Sequence, residues 1–398
     1  MSANTPIAER FSKVLTPNYR APAIAIVRGE GCWLFDADDR AYLDMMGGIA
    51  TVVLGHCHPR VVAALENQAH RLWHTSNLFA STPQIELAER LVARTFADRV
   101  FFANSGAEAN EAALKLARLY HRERGRDRFE IIAFEGGFHG RTLFTVSATG
   151  TPAYWKGFEP LVPGVHHAAY GDAEATRALV SERTAAIIVE PILGESGVRP
   201  APDGFLAELR EIANENGCLL IVDEVQTGMG RTGNLLAHEA SGITPDIVTL
   251  AKALGNGIPI GAMLTREEIA KVLVPGTHGS TFGGNPLAAA CANAVIDELF
   301  EGGVLEESKA VGLHFGRQLD ALAQRLGPER VVETRGMGHL QALELPGPAG
   351  PVMDRCREEG LLVIGAGERN IRLAPPLVIS RDEIDQGVDI LERAIAAH

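Results

Sequence analysis

The chain has 398 residues, which is enough for two or three domains with sizeable hydrophobic cores. Hydrophobic residues make up 46% of the chain and charged residues 22%, so intrinsic disorder and a small disulfide-stapled fold are excluded. The 37 Lys and Arg residues stand against 50 Asp and Glu residues, and the net charge of −13 argues against binding to nucleic acid or to an anionic membrane.

The cysteines and the N-terminal residues favour a cytoplasmic protein. The five cysteines are scattered and include no C-x-x-C pair, as expected for free thiols in a reducing compartment. The N-terminal residues lack the apolar segment of a signal peptide, and no apolar run approaches the roughly 18 residues of a membrane span. We therefore expect a cytoplasmic location and no membrane partner.

Hydrophobic periodicity predicts two N-terminal strands and then an alternation of helices and strands. The N-terminal strands are expected at 23–27 and 32–36, with a turn at 29–31. Amphipathic helices are expected at 60–73, 84–97, 107–122 and 202–216, the last with Asp203 as its N-cap. Apolar strands are expected at 100–103, 131–134, 185–189, 219–222, 247–250 and 262–264. Several of these strands are apolar throughout, which is typical of strands buried on both faces. The pattern therefore predicts an α/β fold with a mostly parallel central sheet.

The rest of the chain predicts a smaller α+β domain. Its helices are expected at 286–300, 304–326, 351–359 and 381–397, and its strands at 339–344 and 361–364. We therefore expect three parts: an N-terminal segment at 1–59 that packs with the small domain, a large domain at 60–287, and the C-terminal small domain at 288–398.

Three segments follow predicted strands, at the edge where α/β proteins bind ligands. Ser105-Gly106-Ala107 opens a helix whose free N–H groups suit a phosphate group, although an ordinary helix cap is an alternative. Asp223 and Glu224 end an apolar strand, where a carboxylate needs a cationic partner; a helix cap or a bound metal is an alternative. Lys252 follows another apolar strand. Burial there would make its amine a nucleophile, unless the side chain extends to solvent.

Two glycine-rich loops add further candidates. Residues 135–141 place glycines around Phe138 and Arg141, so this loop is either a plain turn or an aromatic wall beside an anion-binding arginine. The second loop contains Ser280 and Thr281, whose hydroxyls suit phosphate or backbone contacts.

Two motif matches are rejected. Residues 228–233 match G-x-G-x-x-G, but they open no convincing helix and lie several residues beyond the preceding strand, which argues against a dinucleotide site. His56-Cys57-His58 lacks a distant partner set with metal-ligand spacing, and Pro59 directly after it favours a helix start over a zinc site. We expect no metal.

Together the remaining features indicate one cofactor. A phosphate site at a helix start, an aromatic wall, a buried carboxylate and a buried lysine are what pyridoxal phosphate requires. The lysine binds the cofactor covalently, and the carboxylate keeps the pyridine nitrogen protonated so that the ring withdraws electrons.

At these residues the sequence resembles the class III (ω-amino-acid) aminotransferases, which are pyridoxal-phosphate enzymes of fold type I, and among them the acetylornithine aminotransferase branch. The similarity covers nearly the whole chain. Its most specific segments, in chain order, are NSGAEANEAALKLAR, FHGRT, VEPILGESG, DEVQTGMGRTG, AKALGNG and GSTFGGNPLA.

The resemblance implies roles for residues at matching positions. Lys252 and Asp223 are implied as the catalytic residues. Cofactor contacts are implied for Ser105, Gly106, Ala107, Phe138, Asp223, Glu224, Val225, Gln226, Lys252 and Thr281. Substrate contacts are implied for Ile49, Arg141, Glu195, Ser280 and Arg372. Thr281 is implied to reach the cofactor phosphate of the other subunit, so a homodimer is expected.

The implied reaction transfers the terminal amine of N2-acetylornithine to 2-oxoglutarate and yields N-acetylglutamate semialdehyde and glutamate, a step of arginine biosynthesis. Arg141 and Arg372 are implied to bind carboxylates, and Glu195 to mask Arg372. Ile49 stands where the ornithine δ-aminotransferases carry a tyrosine, which favours an acylated donor or 4-aminobutyrate over ornithine. Alternative donors are succinylornithine, succinyl-diaminopimelate, ornithine, 4-aminobutyrate and a lysine-type amine. An aminomutase or racemase on the same scaffold and a catalytically silent relative are the alternatives outside the transaminases.

Overall fold

The computed structural model describes residues 2–398. Its helices are α1 (Asn4–Val14), α2 (Gly47–Ala50), α3 (Pro59–Ala69), α4 (Thr82–Arg94), α5 (Gly106–Arg122), α6 (Leu143–Ala148), α7 (Ala173–Leu179), α8 (Phe205–Asn216), α9 (Glu267–Ala270), α10 (Pro286–Phe300), α11 (Val304–Leu326), α12 (Gly350–Glu358) and α13 (Arg381–Ala396). Short 3₁₀ turns cover Pro152–Tyr154, Ala237–Ser241 and Lys252–Gly255. Over residues 2–398, none of the helices has the length and apolar character needed to span a membrane.

The strands alternate with these helices along most of the chain. They are β1 (Ile26–Glu30), β2 (Trp33–Asp36), β3 (Ala41–Asp44), β4 (Arg99–Ala103), β5 (Glu130–Phe134), β6 (Val165–Ala168), β7 (Thr184–Val189), β8 (Ile192–Leu193), β9 (Arg199–Pro200), β10 (Leu219–Asp223), β11 (Ile247–Leu250), β12 (Gly261–Thr265), β13 (Glu333–Met337), β14 (Leu340–Glu344), β15 (Leu361–Leu362), β16 (Ile364–Gly365) and β17 (Asn370–Leu373).

The largest sheet within residues 2–398 has seven strands in the order β4-β12-β11-β10-β7-β5-β6. Strands β6, β5, β7, β10 and β11 pair in parallel, whereas β12 is antiparallel to both of its neighbours. Every residue of β7, β10, β11 and β12 is buried, which explains why these strands are apolar or nearly so throughout. The prediction of an α/β fold with a mostly parallel central sheet is confirmed.

Helices cover this sheet and bring its loops together. Helix α5 packs against β7, β11 and β12, and α8 packs against β7 and β10. Such crossover helices return the chain so that the next parallel strand runs in the same direction. The carboxyl ends of the parallel strands therefore lie at one edge of the sheet, where the loops that follow them meet.

A second core joins the two ends of the chain. The antiparallel sheet β13-β14-β17-β16 packs with helices of the C-terminal part, and β3 pairs in parallel with β15, where Leu43 lies opposite Leu361. Leu43 is fully buried in the same cluster as Phe315 of α11 and Ile384 of α13. The N-terminal strands therefore pack against C-terminal elements. The division of the chain at residues 59 and 287 stays a prediction.

One predicted helix cap and one predicted turn are wrong, and in each case a glycine is the reason. Helix α8 begins at Phe205 after Gly204, which has the left-handed φ of 84°, so Asp203 is not its N-cap. Residues 29–30 continue strand β1, and the first hairpin turns at Gly31, whose φ is 54°. In both cases a glycine accepts a positive φ that other residues rarely adopt, and this determines where the element begins or ends.

Candidate active site

A cavity of about 450 Å³ lies where strands of the central sheet end. Segments that follow β4, β5, β10 and β11 form its walls. Of the residues predicted to form the site, those that line this cavity are Ser105, Gly106, Ala107, Phe138, Arg141, Asp223, Val225, Gln226 and Lys252. The fold therefore brings together candidates that lie far apart in the sequence.

Asp223 ends β10, is buried, and has hydrogen-bond donors on both carboxylate oxygens. Its Oδ2 accepts from Asn110 Nδ2 at 2.7 Å and from His139 Nδ1 at 2.8 Å. Its Oδ1 accepts from the Val225 backbone N–H at 3.0 Å and from Thr249 Oγ1 at 3.4 Å. Because these donors come from α5, β11 and two loops, the carboxylate is fixed in position from several sides.

The charge of Asp223 affects two other buried groups. Burial alone would lower the pKa of His139, but the hydrogen bond to Asp223 and the charges of Asp223 and Glu190 raise this pKa above its ordinary value. Burial raises the pKa of Glu190 to about 7; the charge of Asp223 adds to this shift and His139 opposes it. Glu190 Oε1 also accepts the Phe138 N–H at 2.7 Å, so Glu190 anchors the loop that carries this aromatic ring.

The start of α5 has the features of an anion site. Ser105 caps the helix, since its Oγ accepts the Glu108 N–H at 3.2 Å. Other N–H groups of the first turn have no intrahelical acceptor and form the positive end of the helix dipole. A Cβ added at Gly106 would lie 2.7 Å from Val225 Cγ1, so glycine at this position lets the helix start approach the end of β10.

Lys252 lines the cavity two residues after the end of β11. It begins a 3₁₀ turn with a φ of 43°, which is uncommon for a residue with a side chain. Desolvation lowers the pKa of its amine below the ordinary value; the carboxylate of Glu195 opposes this shift, and the charge of Arg372 adds to it. A lowered pKa increases the fraction of neutral amine, which is the form that attacks a carbonyl group.

Arg372 lies on β17, is 1% exposed, and forms an ion pair with Glu195. Its Nη1 donates to Glu195 Oε1 at 2.6 Å, to Gln226 Oε1 at 3.0 Å and to the Gly194 carbonyl at 3.1 Å. Burial would raise the pKa of Glu195, but the charge and the hydrogen bond of Arg372 hold this pKa below its ordinary value. Glu195 therefore stays ionised and neutralises a buried guanidinium next to the cavity residue Gln226.

Arg141 lines the cavity itself, and its surroundings differ from those of Arg372. Its side chain is exposed, and its Cζ lies 3.5 Å from the ring centroid of Tyr154 and 5.6 Å from that of Phe138. Within residues 2–398, no carboxylate forms an ion pair with it. The site thus has one arginine that lines the cavity and whose charge is not neutralised, Arg141, and one neutralised arginine, Arg372, that lies next to the lining residue Gln226.

Glu224 was predicted to contact the cofactor, but the structure does not bring it to the cavity. Its buried carboxylate accepts from His238 Nδ1 at 2.9 Å and from the Thr227 hydroxyl. Successive side chains of a strand point to opposite faces, so at the end of β10 Asp223 and Glu224 cannot share one environment.

Six predicted substrate or cofactor residues lie outside the cavity lining: Glu195, Glu224 and Arg372, described above, and Ser280, Thr281 and Ile49. Ser280 is adjacent to it, because its Oγ accepts from Nδ2 of the cavity residue Asn104 at 3.2 Å. Thr281 is exposed and lines a separate small cleft together with residues between His74 and Gln84. Ile49 is 39% exposed and has a φ of 64°.

Four side chains that support the site had no predicted role. Asn110, His139 and Thr249 hold Asp223, and Glu190 holds the backbone of the aromatic loop. Asn110 lies one helical turn after the start of α5, and this spacing could have identified it as a site residue from the sequence. Thr249 is identified only by the pairing of β10 with β11, which the sequence does not reveal.

Comparisons with known proteins agree with this geometry. A sequence model described as aminotransferase class-III matches residues 14–395. The acetylornithine aminotransferase of Myxococcus xanthus is 51% identical over 385 residues, which cover 96% of each chain. The succinylornithine transaminase/acetylornithine aminotransferase of Pseudomonas aeruginosa is 47% identical and covers 100% of this chain and 99% of its own. A solved structure of the Toxoplasma gondii ornithine aminotransferase, with partial occupancy of pyridoxal phosphate at its active site, is 34% identical. It has a TM-score of 0.95 and covers 100% of this chain and 95% of its own.

The chain therefore belongs to the class III aminotransferases. The predictions of this family, of an aminotransferase and of pyridoxal phosphate as its cofactor are confirmed. An enzyme of this family takes an amino donor and a keto acid as its substrates.

Gly106→Ala tests the close approach at the start of α5. The added methyl group meets Val225, so either the helix start or the end of β10 must move, and the anion site is distorted. We expect the affinity of the apoprotein for pyridoxal phosphate to fall about tenfold, or ~1.4 kcal/mol, in an absorbance titration. Gly350→Ala is the matched control, because a Cβ there meets nothing within 4 Å. Equal affinities of the two variants would contradict this account.

Proposed function

We propose that this protein transfers the terminal amine of N2-acetylornithine to 2-oxoglutarate, giving N-acetylglutamate semialdehyde and glutamate, as in arginine biosynthesis. The ion pair between Arg372 and Glu195 carries the proposal, because it offers a carboxylate receptor that is neutralised when no carboxylate is bound. The identity of 51% to an acetylornithine aminotransferase over nearly the full chain supports the choice of donor.

The residues around the cavity fit pyridoxal phosphate. We propose that Lys252 binds it covalently, that Asp223 holds a proton on its ring nitrogen, and that the N–H groups at 105–107 bind its phosphate. Phe138 and Val225 would contact the two ring faces, and Gln226 the phenolic oxygen. The buried, fully hydrogen-bonded carboxylate of Asp223 and the lowered pKa of Lys252 support these roles.

The chemistry then depends on few groups of this chain. Bound pyridoxal phosphate supplies an electron sink that stabilises negative charge on the substrate carbon. Once the donor amine has replaced it on the cofactor, the free Lys252 Nζ would take the proton from the carbon that bears the amine, acting as general base and then as general acid. Side chains that donate hydrogen bonds hold the Asp223 carboxylate in place, and the raised pKa of His139 favours a cationic imidazole beside it.

Two different substrates must use this one cavity. Acetylornithine has no carboxylate on its reacting carbon, whereas glutamate has one. We propose that Glu195 stays paired with Arg372 when acetylornithine is bound and moves away when glutamate is bound, so that Arg372 can bind the carboxylate. Arg141, whose charge is not neutralised, would bind the distal carboxylate of either substrate.

A succinylated donor is the second candidate. The Pseudomonas aeruginosa relative, 47% identical, is named for both succinylornithine and acetylornithine. The two donors differ only in the acyl group on the α-nitrogen. Ornithine, succinyl-diaminopimelate and 4-aminobutyrate remain further alternatives among the ω-amino donors.

A donor panel with the holoenzyme tests the proposed function. We expect acetylornithine to give the highest kcat/KM with 2-oxoglutarate as acceptor, and no turnover when the acceptor is omitted. Lys252→Ala should abolish turnover and the visible chromophore that borohydride reduces, whereas Lys271→Ala, at an exposed lysine, should retain both. Turnover without 2-oxoglutarate would instead indicate a mutase or racemase, and a chromophore in Lys252→Ala would contradict the role of this lysine.

Glu195→Ala tests the paired arginine. Without Glu195 the charge of Arg372 is permanent. This disfavours the binding of acetylornithine, whose reacting carbon has no carboxylate, and leaves the binding of glutamate largely unchanged. We expect the ratio of kcat/KM for acetylornithine to that for glutamate to fall at least about tenfold. Glu211→Ala, at an exposed position of α8, is the control and should leave the ratio unchanged. The same ratio in Glu195→Ala as in the unmodified protein would rule out this role of Glu195.

We propose further that the enzyme acts as a homodimer in which Thr281 reaches the cofactor phosphate of the other subunit. The exposure of Thr281, outside the cavity of its own chain, is in keeping with this role. Sedimentation equilibrium of the active holoenzyme should give twice the mass of one chain, and Thr281→Val should weaken phosphate binding. A monomer with full activity would contradict the proposal. The cytoplasmic location stays a prediction.

A further inference from the structure

Tyr154 lies against the arginine of the cavity whose charge is not neutralised. The Arg141 guanidinium carbon is 3.5 Å from the centroid of the Tyr154 ring, well within the distance at which a cation is attracted to an aromatic face. Tyr154 also contacts Phe138, with ring centroids 5.9 Å apart and an interplanar angle of 85°. Arg141 and Phe138 line the cavity, whereas Tyr154 stands behind them.

The backbone fixes the position of this tyrosine. Tyr154 ends the 3₁₀ turn Pro152–Tyr154, and its N–H donates to the Thr151 carbonyl at 2.9 Å. The next residue, Trp155, donates from Nε1 to the Thr149 carbonyl at 2.8 Å and stacks on His167 at 5.2 Å. The turn is therefore anchored at both ends.

The same segment is tied to the loop that carries Phe138 and Arg141. Gly150 accepts the Gly136 N–H at 2.9 Å and donates to the Gly137 carbonyl at 2.8 Å. A displacement of one segment would therefore displace the other. Tyr154 and Arg141 approach each other from two backbones that are hydrogen bonded together.

The contact with Tyr154 orients Arg141 without using its hydrogen-bond donors. Within residues 2–398, Arg141 has no ion pair, and its neighbours at the guanidinium are the rings of Tyr154 and Phe138. Arg372, by contrast, donates to three oxygens of its own chain. A guanidinium that lies on an aromatic face keeps its planar N–H groups free for two-point binding of a carboxylate.

We infer that Tyr154 is a positioning residue that selects amino donors with a carboxylate remote from the reacting amine. It holds the Arg141 guanidinium in the orientation that binds this carboxylate, and so lowers the entropy that Arg141 loses on binding. The inference rests on the proposed function, because Arg141 is the proposed receptor of the distal carboxylate.

The test compares two donors with the holoenzyme of Tyr154→Leu. One donor is N2-acetylornithine, and the other is its carboxamide, which has the same length but no charge. We expect the KM for the acid to rise about tenfold, with kcat changed less than about twofold. The KM for the carboxamide should stay within about twofold. Tyr154→Phe keeps the aromatic face and should restore the KM for the acid.

A matched control lies away from the cavity. Arg124 lies 3.6 Å from the ring centroid of Tyr120, on α5 and away from the cavity lining. Tyr120→Leu removes the same kind of contact and should leave both KM values unchanged. The spectrum of the bound cofactor reports whether the site is intact in Tyr154→Leu. If Tyr154→Leu does not fold, Tyr154→Gln is used in its place.

Two outcomes would overturn the inference. An unchanged KM for the acid would show that Arg141 does not need Tyr154. An equal rise in KM for the acid and the carboxamide would show that Tyr154 shapes the cavity without acting on charge. Failure of the proposed function is distinct, since the unmodified protein would then not turn over acetylornithine. The acid and amide comparison would in that case use the donor that the panel identifies.

Discussion

The burial of the Asp223 carboxylate is the constraint around which the carboxyl edge of the central sheet is built. An ionised carboxylate without partners in such a place would cost several kcal/mol, so donors must arrive from every side. They come from Asn110 on α5, from His139 in a loop and from Thr249 on the neighbouring strand. The cavity is the space that these elements leave at the strand ends.

The two arginines of the site are held in opposite ways. Arg372 is almost fully buried, and Glu195, Gln226 and a carbonyl group supply its acceptors. Its charge is available only if Glu195 moves. Arg141 is exposed and held by aromatic rings, so its charge is available at all times. A site with one arginine whose charge is always available and one whose charge depends on Glu195 can treat two acids of different shape differently, although the net charge of the chain is −13.

The fold and the central candidates were predictable because their signals are local. Apolar strands mark the sheet, and the residues directly after them mark its carboxyl edge, which is enough to select Asp223 and Lys252. The supporting residues were not predictable in this way, since their roles depend on which strands and loops become neighbours. Asp223 and Glu224 at the end of β10 show where prediction from the sequence stops. The direction of each side chain depends on the local backbone, and Glu224 faces His238 instead of the cavity. The direction of β12 likewise depends on its partners in the sheet.

The pairing of β3 with β15 has a consequence for the chain during its synthesis. Leu43 is translated roughly 300 residues before Leu361, its partner in the sheet, which at about 5–20 residues per second is a delay of tens of seconds. The strands of the central sheet, all between residues 99 and 265, are complete well before that time. The nascent chain therefore holds a folded middle and an N-terminal β1-β2-β3 sheet in which the outer edge of β3 has no partner yet, and this edge is the part that chaperones and proteases meet longest.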